Sequence, residues 1–523
     1  MFKTLSPFKA LGQDKIPNVV YMRCMEVPID HLFYIYRAIL ELNTYHLRWL
    51  ESVTLVLRKV GKTDYNVTKA YQPIGLINTM PKGFSTLCVK HISYLEEKHN
   101  MLPKSQFGAR PGRNTTDAML LISHRIKDAW RSKKVAATLF LDIQGVFPNT
   151  VKERLIHNMR MRHVPKCFTE LTERMLTGRL TRLRFDNFLS SLIPLLNGTT
   201  QGDPSSMLYY SFYNAPLLEI AVGQDEHSPG FVDDSMMLTV GDSLAECHGK
   251  LKDMMERLGG GFECSYTHNS PFEISKITLM NFPCSFRDTI PGDLVLDKPN
   301  RDGTVTTSAI KAVNSYKYLG IIFDPGLKWT LQHAKVIASA TFWASQIWHI
   351  LRPASGMSAS GVRQLYNTVA VPGFTYRAKV WYTGLHKPKE EGNMKGSVAI
   401  TNKIQSMQCK VASTITGALR TTAGDTLDAH ANILPVDLLL NKVLFRAATW
   451  LCLLPDTHPL HDTIRSAAQP SSIDPQYITF STSHASNRAA SRPLKWSGTS
   501  QITCPLLTDI YATQRTTCSP LPL

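Results

Sequence analysis

The sequence predicts an α+β protein with a mainly helical C-terminal region, and three stretches carry that expectation. Residues 135–141 (Val-Ala-Ala-Thr-Leu-Phe-Leu) have the pattern of a buried strand, and the run ends at Asp142. Residues 229–240 read as strand, turn, strand, with Asp233 and Asp234 in the turn. Ser243-Leu-Ala-Glu246 is a capping box, opening a helix with Leu244, Cys247, Leu251, Met254, Met255 and Leu258 on its apolar face. Gly259-Gly260-Gly261 is expected to stop that helix. Strands before and after helices imply a layered α+β structure.

The other elements follow in chain order. Residues 29–57 are apolar and aromatic, a helix leading into a strand over Val53 to Leu57. Residues 83–98 read as helix, and so do 116–131, where Ala118, Leu121, Ile122, Ile126 and Ala129 share one face. His124, Lys127 and Asp128 fall on the other face. Two more helices are expected near 150–160 and 165–177. Gly198 to Ser206 is a glycine-bearing turn ahead of an apolar, aromatic segment from Met207 to Leu218. Residues 285–310 turn polar and Gly/Pro-containing, as a loop or linker would. A short strand from Tyr316 to Phe323 precedes helical pattern to about 455. Residues 462–523 are dense in Ser, Thr and Pro and are expected to be disordered.

Composition narrows the class of partner. The 523 residues are 43% apolar, enough for real cores, and 58 Lys and Arg against 41 Asp and Glu leave a charge of +17. That excess favours a polyanion, nucleic acid or an anionic membrane face. No window has the ~18 uncharged apolar residues of a membrane span, and the first residues lack the apolar core of a signal peptide. Ten scattered cysteines without a C-x-x-C pair argue against a structural zinc site and a disulfide framework, and for a reducing intracellular compartment. Cys88 and Cys452, inside apolar stretches, read as core. No G-x-x-x-x-G-K-[ST] occurs, which excludes a phosphate-loop NTPase.

Three features in order carry the chemistry. Adjacent acids at Asp233-Asp234 repel, and a divalent cation relieves that repulsion. Asp142, at the end of a neighbouring strand, would complete a two-metal site of the kind that joins nucleotides. Phe147, one turn on, would pack under the sugar of the incoming nucleotide and leave no space for a 2′-hydroxyl. Gln201 and Gly202, in a loop whose glycines admit a flat or anionic ligand, would hold its base or sugar edge.

With these residues in place, the chain resembles the reverse transcriptases. Asp142 to Phe147, Gly198 to Ser206 and Phe231 to Asp234 match the palm motifs, the last being the Y/F-x-D-D box. Tyr71-Gln72-Pro73-Ile74-Gly75-Leu76, together with Gln106-Phe107-Gly108 and Arg110-Pro111-Gly112-Arg113, is similar to the fingers motifs of the non-LTR (LINE-type) retrotransposon class. Leu176 to Arg179 with Thr181-Arg182-Leu-Arg184-Phe185 matches the basic stretch before the glutamine-glycine loop, and Tyr318-Leu319-Gly320 the primer grip.

The resemblance implies a right-hand polymerase with an antiparallel-sheet palm. Fingers and palm would occupy 1–310, primer grip and thumb 311–385, a helical extension 396–461 and the tail 462–523. It implies an RNA-directed DNA polymerase with two Mg²⁺ ions, or Mn²⁺, on Asp142, Asp233 and Asp234. Its partners would be an RNA template, a DNA primer and dNTPs, with no membrane. Lys276 would serve the leaving pyrophosphate, Arg110 and Arg113 would grip the template backbone, and Gly320 would line the primer site.

One departure concerns the triphosphate. Gln72 stands where the family usually has arginine, so a charge-assisted bond to that anion is absent, and Lys59, Lys62 or Lys69 is the available compensation. Residues 9–15 are an eroded form of a segment that precedes the fingers, and neither an endonuclease nor a ribonuclease H pattern is seen. The alternative is therefore a truncated, catalytically impaired copy that keeps the fold and nucleic-acid binding.

Overall fold

The computed structural model describes residues 2–468, apart from 3–4, 286, 301, 352–355 and 387–392. Its strands are β1 (Glu51–Arg58), β2 (Tyr71–Leu76), β3 (Val135–Leu141), β4 (Arg179–Phe185), β5 (Phe188–Leu189), β6 (Ile193–Leu195) and β7 (Glu226–His227). They continue as β8 (Gly230–Phe231), β9 (Asp234–Gly241), β10 (Thr278–Phe282), β11 (Leu294–Pro299), β12 (Val305–Ile310), β13 (Tyr316–Tyr318) and β14 (Ile321–Phe323).

The central sheet has the order β10-β3-β9-β7, with β8 also on β9, and every pairing in it is antiparallel. All seven residues of β3 are buried, because the sheet is covered on both faces. Ala136, Phe140, Met236 and Leu238 face a core shared with the Thr115–Arg131 and Thr330–Ile350 helices. Ala137, Leu139 and Met237 face the Leu244–Glu256 helix. A second sheet, β2-β1-β4-β5 with β6 on β4, pairs β1 antiparallel to β2 and parallel to β4.

Four expectations are corrected here. The segment 285–310 is no linker. It forms the β11–β12 hairpin, with Leu294, Leu296 and Ile310 packed onto the Leu244–Glu256 helix, and its polar Pro299–Gly303 stretch makes the turn. Tyr316 to Phe323 is also a hairpin, since Leu319 (φ +45°) and Gly320 (φ +87°) both enter the left-handed region. The Leu244–Glu256 helix ends before Leu258, which is 93% exposed, and Gly261 opens a further helix, Gly261–Thr267. Cys88 is core but Cys452 is exposed on the Val436–Cys452 helix.

Residues Met1–Ser466 make one compact unit. The core around Phe140 runs on to Leu440, so it crosses the boundaries expected at 310 and 385. A smaller cluster joins Phe107, Ala118 and Leu121 to Leu451, Leu454 and Leu460, with Phe231 and Leu319 against it. The expected tail begins with a helix, His461–Ala468, and from 469 it lies outside the described residues. No helix among the described residues is long and apolar enough to cross a membrane.

Candidate active site

The three acids come together through strand register. Leu141 pairs with Ser235 across β3–β9, so one further step sets Asp142 opposite Asp234, and Asp233 sits in the turn between β8 and β9. Burial and the neighbouring Asp142 push the Asp233 carboxyl above its ordinary range. Burial, then Asp233, then Asp142 raise Asp234 to about 6, against the opposing pull of Arg377. Both residues are exposed by area, yet enough protein surrounds the carboxyls for burial to lead.

The turn is held in a conformation its sequence resists. Val232, β-branched, has φ +60°. It is braced from behind: Phe107 N–H donates to Gly230 O at 2.9 Å, and Gly230 N–H to Ser105 O at 3.1 Å. Asn214 donates to Ser235 Oγ at 3.2 Å and the Tyr318 hydroxyl to the Asp234 carbonyl at 3.2 Å. Any side chain at Gly108 would put its Cβ 2.4 Å from Val232 N, so glycine there lets the Gln106–Gly108 segment close on the turn.

Phe147 and the Gln201–Gly202 loop form a second group. Phe147, half-buried, meets Tyr210 edge-on at 6.1 Å, and its carbonyl accepts from Thr199 N–H at 2.8 Å. That bond seats the Gly198–Ser206 loop against Phe147. On its other side Gly75 N–H donates to Gln201 O at 2.7 Å, and Gly202 (φ +117°) would clash with Gly75 O if it carried a Cβ. The loop is therefore clamped between Phe147 and β2.

Arg179, buried, holds the same loop by donating to the carbonyls of Asn197 and Gly198 and to Thr200 Oγ1. Sequence reading gave Arg179 no role. The signal was an arginine opening a strand that pairs with β1, which reads as a surface charge until the loop is seen folded over it.

Lys276 Nζ lies 2.9 Å from Asp142 Oδ2, and 3.9 Å from Glu273 Oε2. Glu273 was also missed. Its backbone N–H donates to the Asp142 carbonyl at 2.9 Å, and its carboxylate accepts from Gln144 Nε2 at 2.6 Å and Lys69 Nζ at 3.1 Å. Lys69 is the first cause that lowers the Glu273 carboxyl below its usual range. Gln72 is exposed on β2, and Lys62 is exposed on the connection before it. Of that arm, Lys69 is the residue tied to the site. Gly320 turns the β13–β14 hairpin beside the ring of Tyr376, and its carbonyl accepts from Lys335 Nζ at 2.6 Å.

The two arginines have a different task from the one expected. Arg110 Nε donates to Glu97 Oε1 at 2.8 Å and Nη1 to the Pro103 carbonyl at 2.9 Å, with its side chain 1% exposed. Arg113 Nη1 donates to the carbonyls of Lys104 and Gln106, and burial draws its guanidinium down to about 10. Arg110 is not free to meet a phosphate, whereas Arg113 is half-buried. Both fasten the loop behind the Asp233–Asp234 turn, because a buried guanidinium without partners would cost too much.

Among the described residues, no three His, Cys, Asp or Glu side chains are arranged to hold a metal ion by themselves. Oxygen donors of the right kind are nonetheless gathered. A hard cation such as Mg²⁺ takes one or two carboxylates and completes its shell with substrate phosphates and water. Asp142, Asp233 and Asp234 fit that chemistry, their mutual repulsion being what a cation relieves.

Residues 58–323 match the family model described as reverse transcriptase (RNA-dependent DNA polymerase). The chain is 22% identical over 443 residues to the probable RNA-directed DNA polymerase from transposon X-element of Drosophila melanogaster, covering 83% of this chain and 45% of that protein. It is 24% identical over 421 residues to the RNA-directed DNA polymerase from mobile element jockey of Drosophila funebris, covering 79% and 43%. It thus spans less than half the length of these relatives. An apo telomerase from Candida tropicalis aligns over 53% of this chain and 54% of that one, with TM-score 0.36 and 8% identity, too loose a likeness to carry a conclusion. The match over half the sequence and the shared retrotransposon relatives settle kinship: the chain belongs to the reverse transcriptase family, in its non-LTR, LINE-type branch.

Proposed function

We propose that this chain is the RNA-directed DNA polymerase part of a non-LTR retrotransposon protein, extending a DNA primer along an RNA template. The observation that carries this is the register that sets Asp142 beside the Asp233–Asp234 turn on adjacent strands of one sheet. In this reading the central sheet is the palm, the β1–β2 sheet belongs to the fingers, and the Thr330–Ile350 helix to the thumb. Domain limits at 1–310, 311–385 and 396–461 remain part of the proposal.

Asp142, Asp233 and Asp234 would hold two divalent cations, Mg²⁺ or Mn²⁺, which when bound lower the pKa of the primer hydroxyl and neutralise charge on the triphosphate. The protein's own groups do the positioning. The clamped Gln201–Gly202 loop and Phe147 cradle base and sugar. Lys276, already beside Asp142, is placed to hand a proton or a counter-charge to the leaving pyrophosphate oxygen. Gly320, whose carbonyl takes Lys335 Nζ, would line the primer site. The second reading, an impaired copy, draws on Gln72 in place of arginine. Primer extension with Mg²⁺ on an RNA template separates the two.

Two expected results follow directly. Phe147→Ala should lose preference for dNTPs over rNTPs by ~10-fold or more, as removal of a close pocket contact allows. Unchanged ratios of kcat/KM would remove the gate role. Affinity for an RNA–DNA template–primer should fall by roughly 10³-fold between ~50 and ~200 mM salt, through counterion release. A flat salt titration would count against a basic channel.

A further inference from the structure

Four charges alternate in sign from the β1–β2 arm to the catalytic carboxylates. Lys69 Nζ lies 3.1 Å from Glu273 Oε2, Lys276 Nζ 3.9 Å from the same oxygen, and Lys276 Nζ 2.9 Å from Asp142 Oδ2. The set is neutral in sum, so in this state it offers a polyanion no net attraction. The members differ in freedom. The Lys69 and Lys276 side chains are 72% and 60% exposed, while Glu273 is 17% exposed and pinned by Gln144 and by its own backbone bond to Asp142. Exposed ion pairs are weak, so long lysine arms can leave a fixed carboxylate for a denser anion at little cost. Gln72, which cannot supply a positive charge, leaves that anion to the lysines.

We propose that Glu273 is the resting partner of Lys69 and Lys276, and that the triphosphate of an incoming dNTP takes both lysines from the carboxylates. Glu273 is then a positioning residue: it parks the cations at the mouth of the site and sets how tightly the nucleotide must compete for them. The inference rests on the polymerase reading above and adds the identity of the groups that meet the triphosphate.

The test is calorimetric binding of dATP in Mg²⁺ to the full chain, without primer or template, with inorganic tripolyphosphate as a second probe. Glu273→Gln, which keeps the shape and the acceptor for Gln144, should bind both probes roughly three- to tenfold more tightly. Lys69→Gln should weaken binding several-fold. The gain from Glu273→Gln should shrink in the Lys69→Gln/Glu273→Gln double variant to the share that comes through Lys276. Unchanged or weaker binding by Glu273→Gln would overturn the proposal. So would a gain of undiminished size in the double variant, because plain repulsion by the carboxylate, not partner exchange, would then explain it. Should Glu273→Gln melt early, Lys69→Gln alone decides, since undiminished binding there also overturns the exchange. Primer extension by the unaltered chain is scored apart: its absence sinks the polymerase reading, whereas a flat dATP response sinks only the exchange.

Discussion

Asp233→Asn is expected to reduce primer extension on an RNA template by on the order of 10³-fold or more, with template–primer affinity changed by no more than about twofold. Asparagine keeps the volume of the side chain and removes the charge that would hold the cations. The transition state then loses several kcal/mol of stabilisation that its developing charge needs. The turn itself should survive, because Ser105, Phe107, Asn214 and Tyr318 brace it and the asparagine amide oxygen can still accept from the backbone N–H groups that the Asp233 carboxylate now takes. A melting temperature near that of the parent would confirm this. Extension rates equal in the two proteins would end the catalytic assignment, whatever the affinity.

Arg110→Ala is expected to destabilise the fold by about 3–5 kcal/mol, because it strands Glu96 in the interior and takes the two-point partner from half-buried Glu97. Glu96 is 0% exposed and lies 2.8 Å from Arg110 Nε without a hydrogen bond to either of its oxygens. Burial outweighs the arginine and raises its carboxyl to about 8. The sign of the pH effect follows. Between the ordinary carboxylate value and about 8 the folded chain keeps a proton that the unfolded chain has released, so stability falls as pH rises through that window. Glu96→Gln should flatten the fall and gain on the parent from pH ~5 to ~8, as urea unfolding would reveal. The salt slope of template–primer binding should be unchanged in Arg110→Ala. A slope lower by about one would restore the phosphate-contact role that the sequence suggested.

That mistaken role shows where sequence reading runs out. Arg110 and Arg113 stand among glycines in a basic block, and nothing local distinguishes an arginine that meets phosphate from one that binds a distant glutamate. The partners Glu96 and Glu97 lie on the Thr79–His99 helix, whose polar positions look solvated in sequence. By contrast β3 was legible to the residue, because a strand buried on both faces needs an unbroken apolar run. The acid pair was legible because adjacent carboxylates demand a reason. The β11–β12 hairpin was not, since its inward residues Leu294, Leu296 and Ile310 are few and a long polar turn dilutes them. Glu273 was passed over for a similar reason. One acid on a short 3₁₀ approach has no pattern, and its value comes from lysines arriving from two separate parts of the chain.

The cluster of Leu451, Leu454 and Leu460 with Phe107 and Phe231 carries a practical lesson for anyone trimming this protein. The match to the family model ends at 323, and a cut there would strip the lining from the back of the acid-bearing loop. Phe107 and Leu121 would then face water, and Phe231, which precedes the turn, would lose a neighbour. A piece that keeps the acid-bearing loop packed therefore has to run past the family match, to Leu460 at least.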